Sequence, residues 1–251
     1  LRSFDRGMPE EINRVVTDSL AHLLWTPSPD GDENLLREGI PGERIDQVGN
    51  IMIDSLEMLR ERIEAQATVS DLGLISKDFC LATIHRPANV DDYEILQKVC
   101  HTLREIAGDI RLIFPLHPRT RQRLRDFGHM QLLEAVDGIT LLEPVNYVRF
   151  MNLVMHAGFI ITDSGGIQEE STYLGIPCLT LRPNTERPIT VEQGTNQLCS
   201  LENVVSKAWA ILDNGFAQHI TKPALWDGQT AKRVVASMKK FLLKRQTEMR
   251  N

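Results

Sequence analysis

Four short apolar runs most constrain what this chain can fold into: FCLATI (79–84), RLIFPLH (111–117), GFIIT (158–162) and IPCLTL (176–181). Each is too uniformly apolar to have a wet face, and segments of helical spacing separate them. Strands of that kind, alternating with helices, specify a parallel sheet covered on both sides. The spacing predicts helices over 91–107, 118–127 and 146–157, a further strand at GITLL (138–142), and a helix in GIQEESTYLG that stops at Gly175. The expected fold class is α/β, with residues from about 51 to 235 forming one doubly wound domain. Ahead of it, apolar groups at Ile12, Val15, Val16, Leu20, Leu23 and Leu24 predict a helix over 10–24, opened by Pro9 and two glutamates. LLWTPSP reads as a strand, DENLLREGI as a short helix stopped by Gly39, and RIDQVGN as a short strand and turn. Helices over 202–212 and 229–245 close the chain.

Sheets of this class bind ligands beyond the carboxyl ends of their strands. The segments that follow the four runs are HRPANVDD, PRTR, DSGG and RPNTERP, which supply His85, Arg86, His117, Arg119, Ser164, Gly165, Gly166, Arg182 and Arg187. Paired glycines at a strand-to-helix turn leave bare backbone, and the first amides of the helix have no partner within it. Imidazole, guanidinium and free amides around one edge suit a polyanion such as a diphosphate. Each charge-assisted hydrogen bond contributes about 1.5–3 kcal/mol.

The glutamates of the same helix need another role, because a diphosphate repels them. Glu170 lies a full turn inside, where a carboxylate can accept from a vicinal diol, so a ribose is the expected partner. Glu169 lies about 100° round the helix and reads either as a site residue or as a structural carboxylate. Glu186 and Arg187 either pair with each other or meet the ligand, and Asp227 and Gly228 read as a turn or cap. A nucleoside diphosphate emerges as the ligand. Neither GxGxxG nor GxxxxGK[ST] occurs, which weakens dinucleotide-oxidoreductase and P-loop readings.

Composition excludes some partners. A net charge of −6 argues against a general nucleic-acid or membrane-surface binder. No apolar run approaches ~18 residues, the length of a membrane span. Cys80, Cys100, Cys178 and Cys199 form no CxxC pair and read as buried reduced thiols of a cytoplasmic protein. His22, His101, His129, His156 and His219 show no metal-ligand spacing. The basic tail KKFLLKRQTEMR reads as a solvated helix end.

Taken together, HR at 85–86, TDSGGIQEE at 162–170, RPNTERP at 182–188, GTNQL at 194–198, DGQTA at 227–231 and the opening LRSFDRGMPEEINR resemble the non-hydrolysing UDP-N-acetylglucosamine 2-epimerases. The resemblance runs over the whole chain. It implies two Rossmann-like domains of glycosyltransferase B type with the active site between them. The first would be incomplete here: residues 1–50 as its remaining C-terminal part, and 51–251 as the UDP-binding second domain, whose final helix packs back on the first. Roughly 100 residues would precede LRSFDR in full-length relatives, on domain-size grounds. Residues 1–50 are then expected to be the least stable part.

The resemblance implies reversible interconversion of UDP-GlcNAc and UDP-ManNAc by elimination and re-addition of UDP, for cell-surface polysaccharide precursors. It implies no cofactor, metal or nicotinamide, no nucleic-acid or membrane partner, and a homodimer when full length. Carried over by motif, Glu10 and His85 are catalytic. His85, Arg86, Ser164, Gly165, Gly166, Glu170 and Arg182 bind UDP. His117 falls where some relatives form a second, allosteric site. Two further catalytic carboxylates of the family lie upstream of Leu1. Many relatives have HRREN or HRxEN where this chain has HRPAN, so Ala88 replaces a glutamate. Alternatives are a UDP-binding chain without catalysis, a hydrolysing 2-epimerase and a related glycosyltransferase.

Overall fold

The computed structural model describes residues 1–215 and 221–248; His219, Met249 and Arg250 lie outside them. The first elements are α1 (Pro9–Leu20), β1 (Leu24–Thr26), α2 (Pro29–Arg37) and β2 (Ile45–Gln47). Then come α3 (Ile51–Glu64), α4 (Thr68–Asp71), β3 (Phe79–Thr83), α5 (Pro87–Val90), α6 (Tyr93–Ile106), β4 (Arg111–Pro115), α7 (Pro118–Asp126) and α8 (Met130–Glu134). They are followed by β5 (Ile139–Leu142), α9 (Tyr147–His156), β6 (Phe159–Thr162), α10 (Gly165–Leu174) and β7 (Cys178–Leu181). The chain closes with α11 (Pro188–Glu192), β8 (Asn196–Cys199), α12 (Val204–Asn214) and α13 (Thr230–Glu248).

The apolar runs do what their composition demands. Six parallel strands assemble in the order β5-β4-β3-β6-β7-β8. Successive residues of a strand point to opposite faces, so each run supplies two cores. Cys80, Ala82, Phe114 and Ile161 pack with Leu96, Val99 and Leu103 of α6 and Val204 of α12. Phe79, Leu81, Ile113 and Ile160 pack with Leu56 and Ile63 of α3, Met151 and Val154 of α9 and Ile167 of α10. The strand order reverses between β3 and β6, the switch point at which a ligand crevice opens in such sheets.

The first 47 residues form a smaller arrangement, with β1 and β2 paired in parallel. The helix expected over 10–24 stops earlier, at Leu20, because Leu24 leaves it to pair with Ile45. The periodicity reading passes over α3 altogether. Exposed Ile51, Met52 and Met58 blur its buried stripe of Ile53, Leu56 and Ile63. Asn50 starts it, its side chain accepting from the Met52 amide at 3.0 Å.

All four cysteines are free and buried. His129 is buried against the Tyr93 carbonyl, and His156 bonds the Asn152 carbonyl. Among the described residues, no helix is long and apolar enough to cross a membrane, and no cluster of three or more His, Cys, Asp or Glu is arranged to hold a metal.

Candidate functional site

Two turns meet at the switch point, and one buried side chain joins them. Asp163 follows β6 and is fully buried. Its carboxylate accepts from the backbone amides of His85, at 2.9 and 3.1 Å, and of Arg86, at 2.8 Å. It also accepts from Asn89 Nδ2 at 3.0 Å and lies 3.0 Å from His85 Nδ1. The Arg86 Nε returns a bond to the Asp163 carbonyl at 2.9 Å. Burial works against ionisation of this carboxyl, but the bonds from His85 and Asn89 outweigh it and hold its pKa below the ordinary value. The turn after β3 and the turn after β6 are thereby one unit.

Ser164 caps α10 in extended conformation, yet its hydroxyl makes no capping bond to the helix. Ser164, Gly165 and Gly166 are all half-exposed. Gln168, fully buried, donates to the Ser164 carbonyl at 3.2 Å and accepts from Thr185 and Asn196, which fixes the turn from behind. The helix ends at Gly175 in left-handed conformation, where the sequence pattern places its stop.

Cations converge on the same end. Buried Arg182 donates to Glu186 at 2.8 Å, while its Nη1 is buried without a hydrogen-bond partner. Glu186 also pairs with Arg187 and lies 4.0 Å from Arg86. Burial opposes its charge, but Arg187 and Arg182 hold its carboxyl at about 2. Arg86 itself is held less firmly protonated than usual, by burial and by the Arg182 charge, while Glu186, Asp163 and Glu10 act the other way. Glu10, exposed in the first turn of α1, is therefore felt at Arg86. Its neighbour Glu11 is buried and accepts from the Ser3 amide and hydroxyl, the Phe4 amide and Arg14.

Glu169 and Glu170 are both buried. Glu169 meets Arg187 Nε at 3.1 Å, beside a cavity of about 610 Å³ that Trp25, Asn50 and Thr230 also line. Glu170 accepts from the Tyr147 hydroxyl at 2.7 Å. Burial pushes its carboxyl up to about 7, against the pull of Tyr147 and with that of Glu169. His117 is exposed, with its ring 5.2 Å from that of His85. Arg119, expected on the rim, is instead bound to Asp91.

The structure thus gathers His85, Arg86, Ser164, Gly165, Gly166 and Arg182 at one end of the sheet, with Glu170 a turn into α10. The family model for UDP-N-acetylglucosamine 2-epimerase matches residues 1–239. The chain belongs to the UDP-N-acetylglucosamine 2-epimerase family. A UDP-N-acetylglucosamine 2-epimerase of Methanococcus maripaludis is 39% identical over 242 residues, covering 94% of this chain and 65% of that protein. One of Methanocaldococcus jannaschii is 45% identical over 203 residues, covering 79% of this chain and 56% of that protein. The chain therefore spans between half and two thirds of these relatives. A crystal structure of the M. jannaschii UDP-GlcNAc 2-epimerase in complex with UDP-GlcNAc and UDP superposes with a TM-score of 0.86 and 40% identity, over 96% of this chain and 67% of that one. The α/β fold of this epimerase-family chain is of glycosyltransferase B type.

Sequence reasoning missed Asp163, Asn89, Gln168 and Tyr147. Asp163 carried a signal, an acid at the end of a wholly apolar strand at the predicted ligand edge. Tyr147 carried none, since it meets Glu170 only through packing of α9 against α10.

Proposed function

We propose that this chain is the UDP-binding part of an epimerase that interconverts UDP-GlcNAc and UDP-ManNAc. The support is one observation above the rest: an imidazole, guanidiniums and bare helix amides share the switch point of the sheet, tied together through Asp163. In this reading the Ser164 hydroxyl, the Gly165 and Gly166 amides, His85, Arg86 and Arg182 take the diphosphate, the Ser164 amide being held by Thr162 Oγ1 at 2.9 Å, and Glu170 takes the ribose. The residues divide as 1–50, belonging to a first domain, and 51–251, the UDP-binding domain.

The chemistry follows from what the substrate allows. A proton at C2 of an N-acetyl sugar is weakly acidic, so the C1–O bond to UDP breaks as that proton leaves, giving a C1–C2 double bond. A proton then returns to C2 on the opposite face, and a diphosphate oxygen re-forms the bond to C1. The net change is redox-neutral. Negative charge grows on the departing diphosphate, and fixed donors stabilise it most at that moment. Glu10, whose charge reaches Arg86, is the carboxylate of this chain assigned to proton exchange at C2. His117, beside His85, marks a secondary site. The full-length enzyme is proposed to be a cytoplasmic homodimer serving cell-surface polysaccharide precursors.

Incubation of the full-length enzyme with UDP-GlcNAc in deuterated water tests this. UDP-ManNAc carrying deuterium at C2 is the expected product. Free ManNAc plus UDP would assign a hydrolase, and saturable UDP binding without turnover would assign nucleotide binding alone.

A further inference from the structure

Asp163 does more than clip two turns together. Its carboxylate meets four N–H groups, of which three are unambiguous donors: the His85 and Arg86 amides and Asn89 Nδ2. An ionised carboxylate can only accept. The fourth group, His85 Nδ1 at 3.0 Å, must therefore carry a hydrogen. Which ring nitrogen holds the proton of a histidine is set by the bond the other makes. Here the choice is forced from below, by a group with no exposure to solvent.

We propose that Asp163 is a positioning residue for the reaction: it locks His85 with its proton on Nδ1 and leaves Nε2 for the ligand. A neutral ring in that state offers a lone pair at Nε2. When a diphosphate arrives, the ring takes a second proton there from solvent and donates it to a phosphate oxygen. The Asp163–His85 pair then passes from one net negative charge to none, which removes repulsion toward the incoming anion. The other groups facing this ring fit that sequence. His117 lies 5.2 Å away on the turn after β4, with Arg119 beside it, and burial together with the His85 and Arg119 charges lowers its pKa against the pull of Asp163. Arg86 is on the same turn as His85, with Arg182, Glu186 and Glu10 acting on it.

This inference rests on the UDP reading for its ligand, but its first test does not. Nitrogen-15 spectra of the neutral His85 ring in the wild-type chain should show the proton on Nδ1 and a bare Nε2. A proton on Nε2 overturns the proposal, whatever UDP does. Addition of UDP should then convert Nε2 to a protonated nitrogen; a ring unchanged in saturated complex overturns the ligand step. Asp163→Asn should move the proton to Nε2 and weaken UDP binding about 10- to 100-fold, the loss expected for a charge-assisted bond. A folded variant that shifts the proton but keeps full affinity overturns the positioning role. If that variant fails to fold, the wild-type spectra decide alone. A wild-type chain with the proton on Nδ1 but no UDP binding overturns the proposed function and leaves the locking of His85 standing.

Discussion

Glu169 and Glu170 are adjacent, both buried, and held by unlike partners: a guanidinium for the first, a phenol for the second. Burial raises the pKa of both, of Glu169 against the pull of Arg187, and of Glu170, whose phenol partner carries no charge, from 4.5 to about 7. A folded-state pKa above the unfolded one favours the protonated form. The stabilisation is complete below pH 4.5 and is lost as pH rises through about 7. The loss amounts to about 3 kcal/mol. Urea unfolding of Glu170→Gln should therefore show a flatter decline in stability between about pH 5 and 8, while UDP binding weakens; an equally steep decline would reject burial as the cause. Glu11 behaves in the opposite sense. Burial opposes its charge, but bonds from Ser3, Arg14 and Phe4 hold it at about 2. Its stabilisation is present above pH 4.5 and lost as pH falls through about 2. Glu11→Ala strands the buried Ser3 amide and hydroxyl, frees the Phe4 amide and Arg14, and should cost about 3 kcal/mol at neutral pH by denaturant titration. The sequence places Glu170 one turn inside its helix, which was legible from spacing. Its phenol partner stands 23 residues away and was not.

At the level of elements, α10 presents its first turn to the site. The two glycines there are not interchangeable. A Cβ on Gly165 would lie 2.4 Å from Arg187 Nη1, a group already held by Glu186 and Glu169. A Cβ on Gly166 would meet nothing within 4 Å. Gly166→Ala should thus leave the melting curve unchanged or slightly raised, since alanine is favoured over glycine in helices by roughly 0.5–1 kcal/mol. The same methyl would stand where the diphosphate is proposed to sit, so UDP affinity should drop at least tenfold by calorimetry. Unchanged affinity would remove this turn from the site. Strands β3 to β7 and the long helices from α6 onward were legible because those strands are mostly apolar and an amphipathic helix repeats near 3.6 residues; β8, with Asn196 and Gln197 among its four residues, was not. The short helices α4, α5, α8 and α11 were not, being too brief to show a period. Nor was α3, whose apolar residues extend beyond its buried stripe.

Across the whole molecule, the chain passes twice between the small sheet and the large one, at 48–50 and at 225–231, and the passages are pinned to each other. Gly49, at φ +94°, packs so closely on the Leu225 carbonyl that a Cβ would lie 2.2 Å from it. Arg233 donates to the carbonyls of both Val48 and Leu225. Gly49→Ala should destabilise by about 2 kcal/mol or more through positive φ and overlap together, read as a lowered urea midpoint. α1 buries only Glu11 and exposes Ile12, Val16 and Leu20. Backbone amides of residues 1–50 should accordingly exchange with solvent well before those of β3 and β6; equal protection would contradict this. Trp226 donates to the Pro27 carbonyl 199 residues away, and Trp25 to Ser237 across 212 residues. Those separations have a meaning on the ribosome. At 5–20 residues per second, Trp25 waits roughly 10–40 s for its partner to be made. The large sheet is complete once Cys199 has emerged, so Trp25 settles only after that sheet is made, held in place by α13, whose Ser237 is synthesised later still.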